Sequence, residues 1–473
     1  MNKTILYVLI GFGVVVFSVV IALIIYASKN QPTKTDDKSQ LPDDQRTVLN
    51  VWRPIDDQET FQTIIDQYEK EHPEIKINYV KSDLANYEFD SISAQLGENG
   101  PDVWSIPSAW LIRHKEKLAP MPAGFLAQKK EQAQDPDINT KQIRDSYVPV
   151  VEKEVIFDNL VYGLPLFVDT LALVANQDIF NEVDSQTARD NQYAKEILKY
   201  GPKNWNEFID LIKLLTKKNG NQIERAAAAL GASSNIENSA DILALLMMQN
   251  NTQLQSSDKK QATFNLDQEK TSGENFNPGK NAVEFYTNFA NPASQYYTWN
   301  ESMPDDFDAF SNGKVAMIFS YASQLKKISE KNPNLKFVAV AMPQIKNQSK
   351  AIDMPSYWVE TVPATSKKQV EAWNFILYTV SNGLGNYLNA ADRPNPTPIK
   401  SVPEISERVK KNNPWQFQQQ TAESWYRGND PQKVELAYQG IIKDVLSGGS
   451  VQNALDTAAS KVSEIFKTLD TTP

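Results

Sequence analysis

Residues 48–80 read VLNVWRPIDDQETFQTIIDQYEKEHPEIKINYV, and this stretch decides the fold. A short apolar run from Val48 leads into a Trp-Arg-Pro turn. Phe61, Ile64, Ile65 and Tyr68 then recur at i, i+3, i+4 and i+7, which sets them on one helical face. Asp56 followed by Glu59 is spaced to close a capping box over the helix start. Pro73 stops the helix, and Ile75, Ile77 and Tyr79 alternate with polar residues as a half-buried strand does. A strand, helix and strand of this length make a right-handed parallel unit. In such units ligands bind at the carboxyl ends of the strands, where Trp52 and Arg53 stand.

The 473-residue chain is long enough for two or three domains, and its 41% hydrophobic and 22% charged residues describe a globular protein. A formal charge of −10 argues against nucleic acid as a partner, because phosphate recognition needs a basic surface. With no cysteine, disulfides, thiol catalysis and thiolate metal sites are excluded. His72 and His114 are the only imidazoles, too few for a histidine-rich zinc site. Both sit beside charged neighbours and are expected to be solvated. Ile5 to Tyr26 carries no charge and is long enough to span a bilayer. It exceeds the apolar stretch of about 7–15 residues of a cleavable signal, and Tyr26-Ala27-Ser28 is a poor cleavage site. The reading is a short segment 1–4, an uncleaved transmembrane anchor 5–26, and a polar linker 27–46 with a reach of about 25 Å.

Further along, Tyr87–Leu96 reads as a helix and Val103–Ile106 as a third strand. Leu160–Phe167 and Leu171–Ala175 read as strands, with a bend at Pro165. Trp205–Thr216 is an amphipathic helix, and Ala226–Leu230 and Ile242–Met248 read as buried helical segments. Val315–Phe319, Phe337–Ala341 and Tyr357–Val362 are strand candidates, Val370–Val380 is a helix, and the chain beyond Pro403 is helical to its end. Strands mixed with helices give an α/β protein.

Taken in order, the opening stretch, GENGPDVWSIPSAWL, YGLPLFVDTLALVANQDIF, PKNWNEFIDLIKLLTKKNG, AFSNGKVAMIFSYAS and VAVAMPQI resemble the extracellular solute-binding proteins of ABC importers, the family typified by sugar and maltose binders. The resemblance covers Val48 to Phe466. It departs at the N-terminus, where the family has a cleaved signal or a lipidated cysteine. It implies a two-lobed clamshell, each lobe a mainly parallel sheet flanked by helices, preceded here by the transmembrane helix. One lobe would be 47–165 with 359–397 and the other 166–355 with 398–473, hinged near Leu166, Ser356 and Pro396. The implied protein is a monomer held at the cell membrane with its globular part outside the cytoplasm. It would capture a sugar or oligosaccharide by hinge closure and hand it to ABC permease subunits, with no cofactor, no metal and no catalysis.

Sugar sites need flat rings against C–H faces and paired polar groups for hydroxyls. Trp52 reads as a cleft ring or a core ring, and Arg53 and Asp56 share its loop, Asp56 also serving as a helix cap. Trp110 follows another parallel strand. Phe167 and Asp169 come at the first crossing, where a buried carboxylate needs partners and suits a hydroxyl acceptor. Tyr321 and Ser323 follow the strand VAMIF, where the family turns toward ligand. Tyr357 and Trp358 lie on the second crossing, and one of them faces the cleft because strand neighbours point oppositely. Arg393 contacts ligand or pairs with Asp392. Trp425, with Tyr426 and Arg427, forms a late aromatic cluster that closes a cleft or packs a helix.

Other motifs fail. Gly383-Leu384-Gly385 lacks the third glycine of a dinucleotide loop, no segment gives a phosphate-binding GxxxxGK[ST], and Asn219-Gly220-Asn221 lacks the acidic ligands of a calcium loop. A glycan-acting enzyme and a surface adhesion protein of the same fold remain as alternatives. The 58 carboxylates do not exclude an acid/base pair, though none stands out in the sequence as one.

Overall fold

The computed structural model describes residues 42–220, 222–269, 273, 275–390, 396–400 and 413–467. The anchor 5–26 lies outside them, as does most of the linker. Among the described residues no helix is long and apolar enough to cross a membrane. The folded body begins before the expected end of the linker. Asp43–Gln45 form a 3-10 turn, and Arg46 is buried, donating to Glu69 at 2.8 Å.

The opening stretch folds as its periodicity requires. Strand Thr47–Arg53 runs parallel to Ile75–Lys81, joined by helix Gln58–Glu71, whose buried face carries Phe61, Ile64, Ile65 and Tyr68. The sheet continues through Val103–Pro107 to Trp358–Thr361 and Leu164–Pro165. The first three strands are mutually parallel, while Trp358–Thr361 is antiparallel to both of its neighbours. A second sheet is ordered Phe337–Val340, Ala172–Asn176, Val315–Ser320, Gln222–Ala228 and Lys217–Asn219. Only Val315–Ser320 and Gln222–Ala228 are parallel in it. Both sheets are therefore mixed rather than mainly parallel. A strand that re-enters a sheet directly after crossing from the other one arrives in the reverse direction.

Each sheet has its own buried core, which defines two lobes. The first core runs from Leu49 to Val168 and resumes at Tyr357, and the second takes in Leu171 to Met354 and resumes at Trp415. Between them, Asp169–Thr170 and Pro355–Ser356 pair antiparallel as a short ribbon.

Three local expectations change. Ala226–Ala228 belongs to strand Gln222–Ala228, not to a helix. An alanine run carries no period, and burial on both faces of a central strand suits small side chains. Leu160–Phe167 is broken into the short pieces Leu160–Val161 and Leu164–Pro165. The capping box is absent: the residue before helix Gln58–Glu71 is Asp57, whose side chain makes no cap bond.

Asp56 is instead drawn to Arg53. That guanidinium is 0% exposed, donates to Asp56 at 2.6 Å and to Ser105 Oγ at 3.3 Å, and is ion-paired with Glu360. Phe61 lies beneath it at 4.5 Å. Tyr387 adds a hydroxyl to Asp56 at 3.1 Å. Burial pushes the Arg53 pKa down, but Glu360 and Asp56 outweigh it and hold the pKa well above its ordinary value. Stripping one partner from a buried pair leaves an uncompensated charge, which costs about 3–5 kcal/mol. Glu360→Ala is expected to destabilise the protein on that scale, read as a lower midpoint in urea unfolding followed by circular dichroism. An unmoved midpoint would show that the cluster does not hold the first sheet.

Candidate functional site

The carboxyl end of the first sheet presents aromatic rings. Trp52 is the penultimate residue of strand Thr47–Arg53 and sits beside Val80 and Trp104 in register. Trp110 follows strand Val103–Pro107, and Trp358 opposes Pro107 at the head of the return strand. All three are half-buried. Trp110 and Trp358 lie 6.4 Å apart between ring centres, and Tyr87 is 6.1 Å from Trp358 while donating its hydroxyl to the Trp52 carbonyl at 2.8 Å. The Trp52 indole N–H is enclosed and has no partner among the described residues.

Of the adjacent pair on the second crossing, Tyr357 turns inward, 2% exposed and bonded to Glu154. Trp358 turns to the aromatic edge, as strand alternation requires. Behind Trp110, His114 is fully buried rather than solvated, 2.8 Å from Glu88 and packed by Trp104 and Trp110. Burial lowers its pKa against the pull of Glu88. His72 is half-buried against Tyr68.

The matching edge of the second lobe is polar. Strand Val315–Ser320 is followed by Tyr321, whose hydroxyl donates to Asp241 at 2.7 Å. The Trp425 indole donates to the other oxygen of Asp241 at 3.1 Å. Trp425 itself is only 5% exposed, edge-on to Tyr438 at 4.4 Å and covered by Arg427 at 5.4 Å. Arg427 is ion-paired with Glu435. Burial lowers the Arg427 pKa, yet Asp241 and Glu435 together raise it above its ordinary value. Burial likewise takes the Tyr321 hydroxyl well above its usual range, with Asp241 adding to the shift.

Burial pushes the Asp430 carboxyl up, but Lys433, and from the first lobe Arg113, bring it below its ordinary value.

The structure thus gathers Trp52, Trp110 and Trp358 on one edge, and Tyr321 and Trp425 on the other. It takes Arg53 and Asp56 into the interior. Phe167 is also buried, stacked near Tyr387 at 6.3 Å. Asp169 is 1% exposed and accepts backbone N–H groups from Thr170 at 2.8 Å, Ala322 at 3.0 Å and Ser323 at 2.8 Å. It ties the first crossing to the turn after Tyr321. Ser323 is exposed, and its backbone N–H serves Asp169. Arg393 and Asp392 lie outside the described residues. Asp241 escaped the sequence reading, although a single charge inside the apolar run SADILALLMM was a signal of it.

Burial raises Asp169 to about 6 against its backbone bonds, and raises Asp353 to about 7 against bonds from Thr421 and Gln344. Both values exceed that of an unfolded aspartate, about 3.9. The folded state then holds more protons than the unfolded state between about pH 4 and pH 7, so these two groups favour folding at low pH and lose that contribution as pH rises. Asp353→Asn is expected to raise Tm near pH 7.5 and to flatten its dependence on pH between about 5 and 7.5, measured by scanning calorimetry. A steeper dependence in the variant would contradict the assignment.

A family model described as bacterial extracellular solute-binding protein matches residues 54–384. No curated protein matches the chain. Several solved structures share its fold. The cyclic α-maltosyl-1,6-maltose binding protein of Arthrobacter globiformis is 16% identical with a TM-score of 0.67, over 89% of this chain and 99% of that one. The sugar-binding protein MalE of Xanthomonas citri is 17% identical with a TM-score of 0.64, over 89% and 97%. An ABC transporter solute-binding protein of Thermotoga lettingae, bound with α-D-tagatose, is 19% identical with a TM-score of 0.63, over 89% and 100%.

Proposed function

Because the chain belongs to the bacterial extracellular solute-binding proteins, we propose that it captures a sugar or oligosaccharide between its lobes and passes it to an ABC permease. The lobes are the bodies around the two cores, one running to Val168 and resuming at Tyr357, the other running from Leu171 to Met354 and resuming at Trp415, and ligand holds them closed. Residues 5–26 anchor the protein, a monomer, to the cell membrane, with the globular part outside the cytoplasm.

The observation that carries this reading is the trio of half-buried tryptophans, Trp52, Trp110 and Trp358, on one edge, with an enclosed indole N–H at Trp52. Flat rings cover the C–H faces of a pyranose. Across from them, Asp241 and Arg427 offer polar groups to the remaining hydroxyls, with Tyr321 and Trp425 holding Asp241 in place. The reading is one of binding, not catalysis. The ligands named for the structural relatives, maltose-type oligosaccharides and α-D-tagatose, set the first compounds to try.

A thermal-shift screen of mono-, di- and oligosaccharides tests this, since ligand at about 100 times Kd adds about 2.7 kcal/mol to stability. A raised Tm with at least one sugar is expected, and no shift across the whole panel would refute the reading. With the sugar so found, Trp358→Ala is expected to weaken affinity roughly 2- to 13-fold by loss of stacking alone. Trp425→Ala is expected to act through stability instead, at about 3–5 kcal/mol for a packed ring. Calorimetric titration paired with unliganded Tm separates the two, and a Trp358→Ala protein with unchanged affinity would remove that ring from the cleft.

A further inference from the structure

The chain passes between its two cores at Val168–Leu171 and at Met354–Tyr357, and it passes back between Tyr387 and Trp415. The first passage, Thr397 on the third and Asp353 at the entry to the second are bonded to one short segment, residues 414–423. Gln419 donates to the Val168 carbonyl at 2.6 Å. Gln418 donates to Thr170 Oγ1 at 3.0 Å and to the Leu171 carbonyl at 2.7 Å, and accepts from Met342 N–H at 2.7 Å. Gln416 accepts from Thr397 N–H at 2.8 Å and donates back to its carbonyl at 3.2 Å. It also donates to Gln419 at 3.2 Å. Just before the second passage, Asp353 N–H donates to the Thr421 carbonyl at 3.1 Å and the Thr421 hydroxyl donates to the Asp353 carboxylate at 2.6 Å. The segment itself straddles the lobes, with Trp415 in the second core and Ala422 in the first.

A carboxamide carries both donors and acceptors, so one glutamine can saturate main-chain groups that belong to different strands. Gln418 does so for Leu171 and Met342, and it and Gln419 are buried at 2% and 0% exposure, where an unmade bond is most costly. Hinges work through a few residues that absorb the change in backbone angles. Side chains that saturate those residues limit how far they turn.

We propose that segment 414–423 is a clasp on the hinge, in which Gln416, Gln418 and Gln419 are positioning residues that set how far apart the lobes stand before ligand arrives. The clasp rests on the closure mechanism proposed above. Its energetic role is to keep a large fraction of the free protein in a conformation that ligand can close. Loosening it lowers apparent affinity by the factor by which that fraction falls.

The cysteine-free chain makes the test direct. Ala85→Cys and Lys326→Cys, both exposed beyond the carboxyl ends of strands in opposite lobes, accept spin labels for distance measurement by double electron–electron resonance. No sugar is added, so the clasp is judged even if the chain takes none of the sugars tried. Gln418→Met and Gln419→Met remove the donors and keep side-chain length. The expected result is a broader interlobe distribution shifted in mean, with native far-UV circular dichroism. An unchanged distribution in folded variants overturns the proposal. Where these two do not fold, Gln416→Ala, half-buried and on the same strap, serves instead: broadening supports the clasp and an unchanged distribution overturns it. Loss of native dichroism in all three also overturns it, because the glutamines would then hold the fold and not the angle.

Discussion

A guanidinium without access to water has to find its counter-charges inside the protein, and most of the first lobe follows from how Arg53 does so. One partner, Asp56, is three residues away. The other, Glu360, is 307 residues away on the strand that returns from the second lobe. Ser105, on the strand between them, bonds to both Arg53 and Glu360. The cluster therefore stitches three neighbouring strands at the level of the carboxyl edge. The tryptophans ride on those strands: Trp52 is next to Arg53, Trp110 follows the strand of Ser105, and Trp358 precedes Glu360 by two residues. Because strand neighbours point to opposite faces, an inward Arg53 puts Trp52 on the other side.

The same bond makes the lobe non-local. Its sheet is complete only after the chain has built the second lobe and come back, so closure of a very long loop precedes the last pairing. The crossings are correspondingly well held. Asp169 gathers three backbone N–H groups, Asp353 takes Thr421 and Gln344, and the glutamines of residues 416–419 cover the main-chain groups left over. Polar side chains dominate here because a strand leaving one sheet for another exposes carbonyls and N–H groups that no ladder satisfies.

The two edges are chemically unlike. The first presents ring faces; the second presents Asp241, Arg427 and Asp430, each already engaged by neighbours. Side chains locked by their own hydrogen bonds lose little freedom when a ligand arrives, which favours a preorganised site. Trp425 illustrates the difference. In sequence it looks equivalent to Trp52, yet Arg427 and Tyr438 enclose it, and it serves to hold Asp241.

The sequence by itself determined what depends on neighbours along the chain. Helix Gln58–Glu71 and the strands beside it follow from periods of 3.6 and 2, and Trp205–Leu215 follows from its apolar stripe. The ordered motifs also carried the family, and the positions of Trp52 at the end of one parallel strand and Trp110 after another carried the aromatic edge. Tertiary structure alone decided which polar groups are spent. Arg53, Asp56, Asp169 and His114 look available in a string of letters, but each is buried against partners that no local pattern identifies. Asp241 looks like a stray charge until Tyr321 and Trp425 close on it. Ala226–Ala228 becomes a strand because Val315–Met317 pairs alongside it. The physical reason is common to all of these: periodicity records where a side chain points, whereas burial and pairing are set by residues that meet only when distant strands are brought together.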